Sequence, residues 1–290
     1  MAAAAGQRSD RRPRRGLYVL PSLFTAGNIA AGFYAITQCL QATPGDNSYF
    51  DRAALAIAFA LPFDALDGRI ARMTNTESDF GRELDSLADV ITFGVAPGIL
   101  AYTWGFRMLP TGFMPVLRQN ALDFGLLAAF LFLICGACRL ARFNVSVNPK
   151  PSNPGRPGRR YFVGMPIPAA AGVLASVVHC FDGSPVHDPR IAFVWMALLL
   201  FTAFLMVSRW RFWSGKEINL GSQQPVRLFV VLMIFGVLLA KFSGYLLISL
   251  ALAYMVSGMW ARFLYAAQSR RARRLGVPMP HAADAAIADS

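Results

Sequence analysis

Within Leu61–Pro97, LPFDALDGRIARMTNTESDFGRELDSLADVITFGVAP, four aspartates sit inside two stretches that are otherwise apolar enough to cross a membrane. Few folds tolerate that combination. Asp64 and Asp67 are three apart and Asp85 and Asp89 four apart, so on helices each pair shares one face, a turn from its partner. Asp67 and Asp64 stand ten and thirteen residues before Glu77, and Asp85 and Asp89 stand eight and twelve after it. At about 1.5 Å per residue, a helical hairpin through the polar connection near Glu77 brings both pairs to one depth within roughly a turn. Asp79 and Glu77 belong to that connection and read as caps or loop charges.

Four carboxylates converging in a low-dielectric region repel one another and lose hydration, which drives protonation unless a cation compensates them. With all-oxygen donors and no His or Cys nearby, the expected cation is a hard divalent ion, Mg²⁺, Mn²⁺ or Ca²⁺, rather than zinc.

The rest of the chain frames this stretch as a membrane protein. Of 290 residues, 55% are hydrophobic and 15% charged, and the mean hydropathy is +0.43, outside the range of ordinary soluble domains. Apolar runs at about 17–40, 53–72, 84–106, 121–142, 162–181, 191–209, 226–242 and 244–264 predict an all-α, polytopic membrane helix bundle of about eight transmembrane helices. The first run is too long for the apolar region of a cleaved signal. Residues 1–16 form a basic arm with five arginines, expected to be disordered and to lie near an anionic membrane surface. Residues 17–264 form the membrane domain. The segment 265–290 starts basic, ends Ala-rich and lacks regularly spaced large apolar residues, which predicts a disordered tail.

The net charge of +12 is explained by topology. With the N-terminus inside, 23 of the 28 Lys and Arg residues fall on cytoplasmic segments and adjoining helix ends. That bias predicts a multi-pass cell-membrane protein with both termini cytoplasmic and the aspartate hairpin opening to the cytoplasm, and it leaves no charge that calls for nucleic acid. Pro62, Gly94, Pro97, Gly98, Pro166 and Pro168 are breakers that can kink helices around a cavity, in enzymes and transporters alike. Asn28 is an amide inside an apolar run, either packed against a neighbouring helix or lining the site. Cys39, Cys135, Cys138 and Cys180 lie in or at the edge of spans and read as packing. His179, His187 and His281 are far from the aspartates in sequence and too scattered to suggest a ligand set.

The full spacing around the aspartates is D-x2-D-G-x2-A-R-x8-G-x3-D-x3-D, carried by Asp64, Asp67, Gly68, Ala71, Arg72, Gly81, Asp85 and Asp89. Eight fixed positions across 26 residues match the signature of the CDP-alcohol phosphatidyltransferase family without departure, and the chain resembles that family. Within it, Leu20-Pro21-x-Leu23-Phe24-Thr25-x-Gly27-Asn28, Phe93-Gly94-Val95-Ala96-Pro97, Gly136-Ala137, Arg139 to Asn144, and Gly164-x-Pro166-x-Pro168 resemble the phosphatidylserine synthase branch. The resemblance covers roughly residues 17–180.

This resemblance implies metal-dependent transfer of a phosphatidyl group from CDP-diacylglycerol to an alcohol, here L-serine, with release of CMP. It implies that Asp64, Asp67, Asp85 and Asp89 hold Mg²⁺ or Mn²⁺ and that Asp89 also serves as the general base. Gly68, Ala71, Arg72, Gly81 and Asn28 would face the CDP-lipid. Gly68, Ala71 and Gly81 can equally serve close helix packing, and Arg72 can pair with a carboxylate or phosphate or anchor at the interface. Arg139 or Arg142, with Asn144 nearby, would form part of the acceptor pocket, since a guanidinium suits the serine carboxylate; the same cluster can equally be a positive-inside stop at the helix end. A homodimer in the bilayer is the implied assembly. Glycerol 3-phosphate or an inositol phosphate is the alternative acceptor, for which Arg156, Arg159 and Arg160 offer a denser basic cluster. A cation transporter with an acidic intramembrane site, or a scaffold without activity, leaves Gly68, Ala71, Arg72 and Gly81 unexplained.

Overall fold

The computed structural model describes residues 19–74, 78–110, 112, 115–145, 161–213 and 225–275. These are predominantly helical: α1 (Val19–Gln41), α2 (Ser48–Thr74), α3 (Asp79–Asp89), α4 (Ala96–Tyr102), α5 (Pro115–Val145), α6 (Ile167–Cys180), α7 (Pro189–Val207) and α8 (Pro225–Leu275). Two three-residue strands, β1 (Tyr161–Val163) and β2 (Arg211–Trp213), pair antiparallel, with Phe162 opposite Phe212.

Among the described residues, four helices are long and apolar enough to cross a membrane: Asp79–Arg107, Pro115–Val145, Pro189–Val207 and Lys241–Arg271. The eight apolar runs therefore do not translate one for one into eight spans of that kind. Two physical reasons are visible. The 27-residue α2 carries the charges of the aspartate motif and its arginines in its C-terminal half, which lowers its hydropathy. The apolar helix α6 has 14 residues, short of the roughly 20 needed to cross the hydrocarbon. The runs at 226–242 and 244–264 form one helical stretch broken at Phe242, whose φ −132° and ψ 34° are non-helical. The expected tail from 265 is helical as far as Leu275, and 276–290, like the basic arm 1–16, lies outside the described residues.

Asp79–Arg107 is one continuous helix with two π-helical segments, Val90–Val95 and Thr103–Arg107. A π-turn fits an extra residue into the helix and rotates everything beyond it. The first starts directly after Asp89, so it resets the face on which Thr92, Phe93 and Gly94 pack relative to the carboxylates.

Around this helix the core closes tightly. Phe93, Leu100, Phe106 and Phe132 are fully or almost fully buried, and Trp195 from α7 donates its indole N–H to the Ala101 carbonyl at 3.0 Å. A Cβ on Gly105 would lie 2.2 Å from the Trp195 ring, so glycine is what lets the two helices meet there. The first helix, α1, packs along α2 and also against α3 and the first π-segment, so among the described residues it bridges the two arms of the aspartate hairpin.

Candidate active site

Asp64 on α2 and Asp85 and Asp89 on α3 converge: one carboxylate oxygen from each lies within 4.8 Å of the other two. Their positions follow from local structure. Ser78 caps α3, accepting the Gly81 N–H on its Oγ at 3.0 Å, a standard way to satisfy an orphan amide at a helix start. From that fixed start Asp85 and Asp89 fall one turn apart on a single face. Asp89 is 8% exposed, and Asp64 is close enough to it for a hydrogen bond. Three carboxylates held this closely, half-buried or buried, fit a hard divalent cation through their donor chemistry.

Asp67, Ala71 and Arg72 lie on the same helix as Asp64, and their side chains fall outside the described residues. Gly68 is half-buried on α2. Gly81 is in the first turn of α3, where a Cβ would come 3.1 Å from Ser78 Oγ, so its small size serves the cap. Asn28 is fully buried on α1. Its main-chain carbonyl accepts the Thr92 hydroxyl at 2.9 Å, and its side-chain amide atoms have no hydrogen-bond partner among the described residues. An uncompensated buried amide is costly, and this one stands beside the segment that follows Asp89.

The acceptor-side residues separate into three environments. Arg139 is 7% exposed, with its guanidinium 5.6 Å from the Phe143 ring centroid and 5.9 Å from that of Phe162. It interacts electrostatically with Asp89, Asp64 and Tyr254. Arg142 points elsewhere: NH1 donates to the Val207 carbonyl at 3.1 Å and NH2 to the Val163 carbonyl at 3.2 Å. It therefore staples the end of α5 to β1 and to the end of α7. Asn144 donates to Ser86 Oγ at 2.9 Å, tying the same end of α5 to the aspartate helix. Arg156, Arg159 and Arg160 lie outside the described residues.

Sequence reasoning missed Ser86, Phe162 and Tyr254. Ser86 sits next to Asp85 and was open to notice as a polar residue on the aspartate helix. Phe162 and Tyr254 carried no local signal, because strand pairing brings the first toward Arg139 and the last helix brings the second. Tyr254 donates its hydroxyl to the Trp213 carbonyl at 3.1 Å, which locks α8 to β2.

Comparison with known proteins agrees with this geometry. A profile of the CDP-alcohol phosphatidyltransferase family matches residues 18–203, a range that includes all four aspartates, Asn28 and Arg139. A CDP-diacylglycerol–serine O-phosphatidyltransferase of Helicobacter pylori is 36% identical over 224 residues, covering 77% of this chain and 82% of the relative. Enzymes of the same name from Bacillus subtilis and Saccharomyces cerevisiae are 36% and 39% identical over 167 and 159 residues, covering 58% and 54% of this chain and 78% and 52% of the relatives. The chain belongs to the CDP-alcohol phosphatidyltransferase family and is a phosphatidyltransferase.

Proposed function

We propose that this enzyme transfers the phosphatidyl group of CDP-diacylglycerol to the hydroxyl of L-serine, releasing CMP, at the cytoplasmic side of the cell membrane. The observation that carries the reading is the convergence of Asp64, Asp85 and Asp89 beside a buried arginine, in a chain whose relatives bear the serine-specific name. A divalent ion, Mg²⁺ or Mn²⁺, held by Asp64, Asp67, Asp85 and Asp89 would supply neutralising charge for the pyrophosphate. Asp89, buried at the start of the π-segment, accepts the proton of the attacking serine hydroxyl. Asn28 offers its buried amide to the polar part of the CDP-lipid, and Gly68 lets the nucleotide approach the α2 backbone closely.

Arg139 orients the acceptor. Its guanidinium is held against Phe143 and Phe162, leaving its edge for a two-point contact with the serine carboxylate. Arg142 and Asn144 act one step back, holding α5 in place through the contacts described above. Arg156, Arg159 and Arg160, which would serve an acceptor bearing a phosphate, lie outside the described residues. The eight-span arrangement with cytoplasmic termini, supported by the distribution of Lys and Arg, and a homodimeric assembly complete the proposal.

The test is CMP release from CDP-diacylglycerol by purified protein, with L-serine, glycerol 3-phosphate and inositol phosphate offered separately. Serine alone should drive release. Arg139→Lys should raise the KM for serine by about tenfold, the scale of one lost charged contact, with the KM for CDP-diacylglycerol little changed. Release driven equally well by another acceptor would overturn the serine assignment.

A further inference from the structure

A second polar constellation lies at the far end of the helices. Asp51, in the first turn of α2, is thirteen residues from Asp64, about 20 Å along the helix axis, so it has no part in the aspartate cluster. His179, in the last turn of α6, places Nδ1 2.5 Å from Asp51 Oδ1 and Nε2 2.8 Å from Ser243 Oγ. An ionised Asp51 can only accept, which assigns the proton of this bond to Nδ1, and in the neutral ring Nε2 is then the acceptor of the serine proton. His179 and Asp51 side chains are 10% and 28% exposed, so the carboxylate and ring are held in protein while the serine is half-buried.

Two features set Ser243 apart from a serine that merely packs in a helix. Ser249 and Ser257, further along α8, each turn the hydroxyl back to a main-chain carbonyl, of Tyr245 and Tyr254, at 2.6 Å. Ser243 instead presents its hydroxyl to an imidazole already oriented by a carboxylate, the arrangement that activates a serine nucleophile. It also follows the break at Phe242, where the helix starts afresh, and the first amides of a helix are donors suited to a developing oxyanion. The surrounding turns hold the constellation: Asn47 donates to Ser184 Oγ at 2.9 Å, and Gly183, at φ +69°, packs against the Asn47 carbonyl and the Asp51 amide.

We propose that Ser243, His179 and Asp51 form a second, nucleophilic site on the membrane face opposite the aspartate cluster, acting on carboxylic esters of lipids. Lys241, exposed two residues before Ser243, marks the depth of the polar boundary to which a membrane lysine reaches, and ester carbonyls of glycerolipids lie at that boundary. Ser243 Oγ attacks the ester carbonyl carbon as His179 Nε2 takes its proton. The bond to the alcohol oxygen breaks, and His179 returns the proton to that oxygen, leaving an acyl-serine. A water molecule, giving a proton to the same nitrogen, then releases the carboxylic acid and restores the serine hydroxyl.

The experiment is labelling of the full-length, membrane-embedded protein with an alkyl fluorophosphonate, followed by mass spectrometry of the modified serines. Ser243 should react at least about tenfold faster than Ser249 and Ser257 on the same helix, as expected of a base-activated nucleophile. His179→Asn, whose amide can keep the bond to Asp51, should bring Ser243 down to the rate of the other two. Equal labelling of the three serines, or none at Ser243, in natively folded wild-type protein would overturn the proposal, and the wild-type comparison alone suffices for that.

Discussion

Asn144, at the end of α5, donates to Ser86 on the aspartate helix at 2.9 Å. Ser86 lies between Asp85 and Asp89, so this bond joins the wall that carries Arg139 to the wall that carries the carboxylates. The bond is exposed, and such a contact contributes only about 0.5–1.5 kcal/mol. Asn144→Ala and Ser86→Ala should each lower kcat by less than about tenfold, and the double variant should be no worse than Ser86→Ala alone, since that change already removes the shared bond along with the serine's own bond to the Arg82 carbonyl. Additive losses in steady-state kinetics would show that the two residues act separately.

Arg142 is a fastener. With both terminal nitrogens on main-chain carbonyls, its replacement by Ala leaves two acceptors that water must reach, at a cost of about 1–3 kcal/mol. Arg142→Ala should lower the unfolding temperature in detergent and leave the KM for serine within about twofold of wild type, in contrast to Arg139→Lys. A selective rise in the serine KM for Arg142→Ala would return it to the acceptor pocket.

Gly32 is where α1 meets the first π-segment. A Cβ there would lie 2.6 Å from Thr92 Oγ1 and 2.8 Å from Thr92 Cα, and Thr92 is the residue bonded to Asn28. Gly32→Ala must push the two helices apart, an overpacking cost of about 1–3 kcal/mol. It should lower both stability and the affinity for CDP-diacylglycerol, measurable by thermal unfolding and by KM. An unaltered unfolding temperature would show that α1 yields freely at this point.

The acidic cluster predicts how metal and stability are linked. Because the oxygens of Asp64, Asp85 and Asp89 crowd within 4.8 Å, stripping divalent ions leaves mutual repulsion in place, and adding Mn²⁺ or Mg²⁺ should raise the unfolding temperature. Asp85→Asn relieves part of that repulsion, so its metal-free form should unfold no lower than metal-free wild type, while its gain on adding metal shrinks. A metal-induced gain equal to that of wild type would remove Asp85 from the ligand set.

How far the sequence carried this account depended on whether a signal was local. The spacing of Asp64, Asp85 and Asp89 is a periodic feature, and these three meet in the structure much as helical spacing requires. That α1 bridges the two arms of the hairpin was not legible, because it does so through Gly32 and Thr92, residues 60 apart in sequence. The π-segments have no period that hydropathy reveals. The roles of Arg139 and Arg142 were indistinguishable in sequence, both being arginines one turn apart; Phe162, Val163 and Val207, brought in by β1 and α7, tell them apart. The link between Asp51, His179 and Ser243 spans 192 residues from first to last, and histidines that look scattered along a chain carry no sign of it.

The most direct test of the central claim is incorporation of isotope-labelled L-serine into organic-extractable lipid by purified protein supplied with CDP-diacylglycerol and Mn²⁺, compared with Asp89→Asn and with wild type after chelation. Labelled lipid formed in step with CMP, abolished in the variant and by chelation and restored when Mn²⁺ is returned, is the predicted result. Labelled lipid of undiminished yield from Asp89→Asn, or from chelated wild type, would contradict the assignment of the reaction to the aspartate cluster.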